Sequence, residues 1–235
     1  MAATRLPGKP LLKINNLSII SHVFKRAEEA KIGEVVVATE DQKILEDVIK
    51  NGGRGILTSS NHKTGTDRIF EAYKKLEIKD VDYVLNLQGD EPNIDKNDII
   101  SLNNFMINNN SEIGTLAATI QDDKIANNKN VVKVITGKKL EKNNFPTALN
   151  FTRDNLSKNN SNIYHHIGIY SYKTSILEKF VSLAQTTNEI ENKLEQLRAL
   201  DNKLKINVAL AKSSPIGIDT EEDYLAIKKI MEYKS

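Results

Sequence analysis

The chain has 235 residues, enough to bury a substantial core in one large α/β domain. It has no cysteine, which excludes a disulfide framework and any thiolate metal site. Lys plus Arg (33) nearly balances Asp plus Glu (31), so the net charge of +2 gives no general pull toward nucleic acid or membrane, and any anion recognition has to be local. No apolar run reaches the roughly 18 residues of a membrane span, and the start lacks the charged and apolar regions of a signal peptide, so a soluble, cytoplasmic protein is the expectation.

In chain order, Leu17, Ile20, Val23, Phe24 and Ala27 share one helical face, with Gly33 as the expected stop. The apolar run Glu34–Thr39 reads as a buried strand. Ile44, Leu45, Val48 and Ile49 mark a second helix closed by Gly52 and Gly53, and Ile69, Phe70, Tyr73 and Leu76 mark a third. Tyr83–Gln88 reads as the next strand. After residue 110, β-like runs near 113–119, 131–136, 147–152 and 164–171 predict antiparallel structure appended to a mostly parallel sheet. A helix over 187–201 is expected to bury Ile190, Leu194, Leu197 and Leu200 and to leave Glu191, Glu195 and Arg198 on a solvated face. A last helix carries Tyr224, Ile227 and Met231. The Asn- and Lys-rich stretches at 107–111, 121–130, 137–144 and 157–162 read as solvated loops. The whole pattern predicts an α/β class, doubly wound, as a single domain over 1–235 with an antiparallel sub-region at about 112–172.

Three segments carry chemistry. Thr4-Arg5-Leu6-Pro7-Gly8-Lys9-Pro10-Leu11 is a Gly/Pro-shaped loop with two cations, able to offer backbone N–H groups and point charges to a polyphosphate. A basic turn ahead of a helix is the plain alternative. Leu87-Gln88-Gly89-Asp90-Glu91-Pro92 sets a carboxylate just past a strand end, where open α/β sheets bind ligands and an Asp can hold Mg²⁺ against phosphate. Gly217-Ile218-Asp219-Thr220 leads into the last helix. Thr220 with Asp223 is a capping-box pattern, which accounts for those two residues but less well for Asp219.

The order and spacing of these segments, together with Thr64-Gly65-Thr66-Asp67-Arg68, His166-Ile167-Gly168-Ile169-Tyr170 and Leu194-Glu195-Gln196-Leu197-Arg198, resemble the CMP-KDO synthetase family, the 3-deoxy-manno-octulosonate (KDO) cytidylyltransferases. The resemblance runs from residue 2 to about 230. It implies a nucleotidyltransferase-type fold and a reaction in which CTP and KDO give CMP-KDO and pyrophosphate for lipopolysaccharide biosynthesis. By the same resemblance Lys9, Asp90 and Asp219 are catalytic, with Asp90 and Asp219 as Mg²⁺ ligands. Arg5, Lys9, Thr64, Gly65, Thr66, Arg68 and Gln88 are matched to nucleotide binding, although Thr64 and Thr66 also read as helix caps.

For the sugar acid the matched residues are Gln88, Arg153, His166, Tyr170, Glu195 and Gln196, with Arg153 and His166 as the cationic or donor candidates. The planar fork of an arginine suits a carboxylate. A surface ion-pair arginine and a core histidine are the ordinary alternatives. The family also implies a cytoplasmic homodimer with no nucleic-acid partner and no membrane span. It further implies an apolar first strand ending in Ile-Pro-Ala-Arg ahead of the Arg5 loop, which this sequence does not contain, so that strand is expected to be missing. A related acid sugar such as 8-amino-KDO, a metal-dependent glycosyltransferase built on Asp90, and a non-catalytic nucleotide-binding relative remain the alternatives.

Overall fold

The computed structural model describes residues 6–120, 122, 126–154, 162–212, 214–215 and 217–233. Of the expected loops, residues 121 and 123–125 of the first and 157–161 of the last lie outside the described residues. The chain divides into two compact units, the first from segments 1–78, 87–100 and 215–235 and the second from 79–86 and 101–214.

In the first unit a tight 3-10 turn, Lys9–Leu11, follows Gly8, whose φ of +70° is a left-handed conformation that glycine adopts without strain. Next comes a two-strand hairpin, β1 (Lys13–Ile14) and β2 (Leu17–Ser18), turned by Asn15 and Asn16 at φ of 48° and 63°. Two consecutive positive φ angles match the twist of a hairpin, and Asn tolerates them well. Ser18 caps α1 (Ile19–Ala30) by accepting from the Ser21 N–H. Lys31, at φ 50°, closes α1. The left-handed cap expected at Gly33 therefore falls two residues earlier, on a residue with a side chain.

β3 (Val37–Thr39) pairs in parallel with β4 (Gly55–Leu57) through the crossover helix α2 (Gln42–Lys50). The strand expected over 34–39 is only half as long, because its ladder with β4 begins at Val37 and no second strand pairs with β3 among the described residues. α3 (Gly65–Leu76) completes this part of the unit. A cluster of fully buried Ile14, Ile19, Ile218 and Ile227 packs against Leu6, Leu12, Tyr224 and Met231, and so holds the Lys9 turn and the Asp219 segment on one core. Four such side chains each contribute roughly 1.5–3 kcal/mol of transfer free energy, which makes this platform stiff.

The second unit is a mixed sheet that follows from the sequence's late β-rich region. Its strands are β5 (Tyr83–Asn86), β6 (Ile113–Ala118), β7 (Lys133–Thr136), β8 (Ala148–Thr152), the long β9 (Ile163–Lys173) and β10 (Ile206–Leu210). The order is β10-β6-β9-β7-β8, with β5 paired to the far end of β9. β10 and β6 are parallel, and all other ladders in this sheet are antiparallel. β5 stops at Asn86 opposite Tyr170, two residues short of the expected Gln88, because β9 bulges immediately beyond Tyr170. α4 (Lys96–Asn109) precedes β6. A Cβ on Gly114 would meet the Met106 sulfur at 2.4 Å, so only glycine lets β6 lie this close to that helix.

The helix expected over 187–201 is two short helices. α5 (Thr174–Ser182) is followed by α6 (Thr187–Asn192), a left-handed break at Lys193, and α7 (Gln196–Asp201). The break changes which faces are buried: Ile190, expected inside, is 58% exposed, and Arg198, expected in solvent, is 2% exposed. α8 (Glu221–Glu232) ends the described chain, capped by the expected Thr220 and Asp223 box.

Candidate active site

In the first unit three residues far apart in sequence converge. The Lys9 ammonium donates to Asp90 Oδ2 at 2.7 Å and to Asp219 Oδ1 at 3.4 Å. The Ile218 N–H donates to the Asp90 carbonyl at 3.0 Å and joins the two acidic segments directly. Asp219 is spared from capping: the box uses Thr220 and Asp223, and only the Asp219 backbone N–H reaches Asp223. The Lys9 ammonium is thus shared between two carboxylates at a partly exposed point.

This donor set fits a hard divalent cation, since carboxylate oxygens are what Mg²⁺ selects. No group of three or more His, Cys, Asp or Glu gathers among the described residues, so such an ion would draw its remaining ligands from water and substrate oxygens. Beside the pair, burial and the Asp90 carboxylate push the Glu91 carboxyl up to about 8, which leaves it a neutral acid at neutral pH. Gln88 is exposed, and Arg5 lies outside the described residues.

The Thr64 segment is a helix start. Thr64 caps α3 by accepting from the Asp67 N–H, Gly65 is the first helical residue, and Thr66 is buried. The capping role expected for Thr64 is therefore present, while Thr66 stands inside the first turn. Arg68 is engaged inside the unit: it donates to Thr58 Oγ1 at 2.7 Å, approaches the Ser59 carbonyl and pairs with Glu40. Glu71 accepts from the Ser59 N–H and contacts His62, so one face of α3 holds the loop between β4 and the helix.

Of the expected sugar-acid residues, Gln88 belongs to the first unit, and Arg153, His166, Tyr170, Glu195 and Gln196 belong to the second, with His166 and Tyr170 on β9. The rings of His166 and Tyr170 lie 5.4 Å apart, and Phe151 meets His166 edge-on at 5.1 Å. Burial, then the charges of His165 and Arg153, push the His166 imidazole down to about 3. His166 is thus neutral at physiological pH, which leaves it the donor or acceptor, and not the cation, of the two candidates expected for the sugar acid. Arg153 donates to the Asn130 carbonyl at 2.8 Å.

The Tyr170 hydroxyl is buried beside Thr115 without a well-formed hydrogen bond, and burial raises its pKa well above the ordinary phenol value. Glu195 and Gln196 sit at the break between α6 and α7, and the Glu195 charge is felt at Tyr170.

Three residues of this neighbourhood escape the sequence reading. Lys133 is buried, with its ammonium donating to the carbonyls of Asn128 at 2.8 Å and Arg153 at 3.2 Å. Glu189 accepts from Arg198 Nε at 2.8 Å and Nη2 at 2.6 Å, while the guanidinium lies 4.7 Å from the Phe180 ring centre. Thr115 hydrogen-bonds His166. The available signal for Thr115 is a single polar residue inside a strand otherwise of apolar residues and glycine, since such a residue has to be satisfied internally.

Residues 1–206 match the family model described as Cytidylyltransferase, which makes the chain a nucleotidyltransferase. A 3-deoxy-manno-octulosonate cytidylyltransferase of Bartonella bacilliformis is 40% identical over 232 residues, covering 98% of this chain and 95% of that protein. One of Thermodesulfovibrio yellowstonii is 44% identical over 246 residues, covering 97% and 94%. The solved structure of CMP:2-keto-3-deoxy-manno-octonic acid synthetase complexed with CTP superposes with a TM-score of 0.89 at 32% identity, covering 99% of this chain and 95% of that one. The chain belongs to the family of 3-deoxy-manno-octulosonate cytidylyltransferases.

Proposed function

We propose that this enzyme transfers CMP from CTP to KDO, giving CMP-KDO and pyrophosphate for lipopolysaccharide biosynthesis. The observation that carries the reading is the convergence of Lys9, Asp90 and Asp219 on one buried isoleucine platform, in a chain whose relatives bear this activity in their names. The anomeric hydroxyl of the sugar forms a new bond to the α-phosphorus of CTP while the bond to the pyrophosphate oxygen breaks, and the hydroxyl proton leaves to solvent. Catalysis is then mainly positioning and charge neutralisation. The Lys9 ammonium supplies positive charge to the triphosphate oxygens, and Arg5 is its partner in the same loop.

Asp90 and Asp219 are proposed to hold Mg²⁺, which supplies charge against the phosphate oxygens and makes a bound hydroxyl more acidic. Thr64, Gly65, Thr66, Arg68 and Gln88 are proposed to meet the nucleotide: the start of α3 is exposed at Gly65, and Arg68 stiffens the loop ahead of it. Arg153 takes the sugar carboxylate, and His166, Tyr170, Glu195, Gln196 and Gln88 take sugar hydroxyls. A homodimer is proposed on the family resemblance alone. No helix among the described residues is long and apolar enough to cross a membrane, and the need for CTP favours a cytoplasmic enzyme.

The test is pyrophosphate release with Mg²⁺, using CTP, ATP or GTP against KDO, 8-amino-KDO, a sialic acid and no sugar. CTP with KDO is expected to give the fastest release, and ATP and GTP little. Release with a different acid sugar alone would transfer the assignment to that sugar. No release with any pair would make the chain a nucleotide-binding relative.

A further inference from the structure

β9 departs from a regular ladder at one place. Tyr170 lies opposite Thr115, His166 lies opposite Ala117, and Ile167 lies opposite Leu116, so Gly168 and Ile169 have no counterpart on β6. In a regular strand, residues four apart are separated by roughly 13 Å. The bulge takes up two of those steps, and the rings of His166 and Tyr170 come to 5.4 Å. Side-chain alternation is preserved across it, since Thr115 and Ala117 share a face of β6.

Thr115 is completely buried in a strand whose other members are apolar or glycine. Its Oγ1 lies 2.6 Å from the Ile169 carbonyl, 3.3 Å from the Ile167 carbonyl and 3.0 Å from His166 Nε2. A hydroxyl has one proton, and a carbonyl oxygen at 2.6 Å can only accept. The proton therefore goes to Ile169, in the bulge, and the threonine oxygen faces His166 as an acceptor. Nε2 must carry the ring proton, which leaves Nδ1 as an acceptor.

We propose that Thr115 is the positioning residue of the sugar site, pinning the Gly168-Ile169 bulge and holding His166 in the Nε2–H tautomer, so that its Nδ1 accepts a hydroxyl of the sugar acid. The inference rests on His166 and Tyr170 being sugar ligands. It assigns His166 to a sugar hydroxyl and leaves the carboxylate to Arg153. Thr115 acts through these side chains and does not touch the reacting atoms.

The experiment compares Thr115→Val, which keeps the shape and loses the hydroxyl, with Thr115→Ser, which keeps the hydroxyl, and with His166→Ala. Steady-state constants are measured for KDO and CTP, and the ring nitrogens of His166 are followed by NMR in the full chain. Thr115→Val is expected to raise KM for KDO about tenfold, the effect of one lost hydrogen bond, with KM for CTP within about twofold. Thr115→Ser should recover most of the loss, and the parent ring should show the Nε2–H tautomer.

An Nδ1–H tautomer in the parent overturns the inference whatever the kinetics, and does not depend on how the valine variant folds. So does an unchanged KM for KDO in Thr115→Val when His166→Ala raises it. If His166→Ala also leaves that KM unchanged, the sugar-site reading of His166 is wrong, and the positioning role falls with it.

Discussion

Asp90 and Asp219 present different problems at the scale of single residues. The Asp90 side chain is paired with Lys9, so its proposed role in the chemistry has to be separated from that ion pair. Asp90→Asn should lower turnover about a hundredfold or more with the fold intact, as losing a central electrostatic contact does. A variant that folds normally and turns over within about threefold of the parent removes Asp90 from the chemistry. Asp219 stands next to a cap, and the geometry separates the two roles. Thr220→Ala should cost about 1 kcal/mol of stability and keep activity, whereas Asp219→Asn should lose activity with little change in melting. The opposite pattern would mean that the helix start, not the carboxylate, is what the segment supplies. Both carboxylates were legible in the sequence because each sits at an element boundary. Their meeting was not, since nothing local specifies that Lys9 lies between them.

Between α6 and α7 a short break does what one longer helix could not. Lys193 in the left-handed conformation turns the chain, and the buried Glu189–Arg198 pair clamps the two helices on either side of Glu195 and Gln196. Glu189 is also half of the capping box with Thr186, so one carboxylate ties the start of α6 to the middle of α7. Arg198→Leu leaves that carboxylate buried and unpaired and should cost about 3–5 kcal/mol in urea unfolding. Adding Glu189→Gln removes the stranded charge and should recover part of the loss. If the double variant is less stable than the single, the pair is not the clamp. The periodicity of 187–201 favours one helix with charges outward. A left-handed lysine and a buried arginine both run against local preference, and they hold only because the tertiary contacts outweigh it.

For the molecule as a whole, the buried bases set the response to acid. Burial lowers the pKa of Lys133 and pushes His166 from its ordinary 6.5 to about 3. His166 binds fewer protons folded than unfolded, so its contribution is intact above 6.5 and is lost as pH falls toward 3. His166 alone contributes a slope of about 1.4 kcal/mol per pH unit in that window. Thermal melts between pH 7 and pH 5 should show a falling midpoint, with a shallower fall for His166→Gln. Equal slopes would mean that His166 is protonated in the folded state.

The sequence by itself determined the α/β class, most of the elements, the capped last helix and the residue types of the site, because period, caps and the spacing of Gly, Pro and Asp are local signals. Tertiary structure decided the rest. It set the short, one-sided β3, whose length depends on which neighbour offers hydrogen bonds. It also set the β9 bulge that pairs His166 with Tyr170, and the neutrality of His166, since burial is a property of surrounding elements. The convergence of Lys9, Asp90 and Asp219 likewise depends on Ile14, Ile19, Ile218 and Ile227 finding one another across the chain. Long-range burial chooses among the arrangements that local preference leaves open.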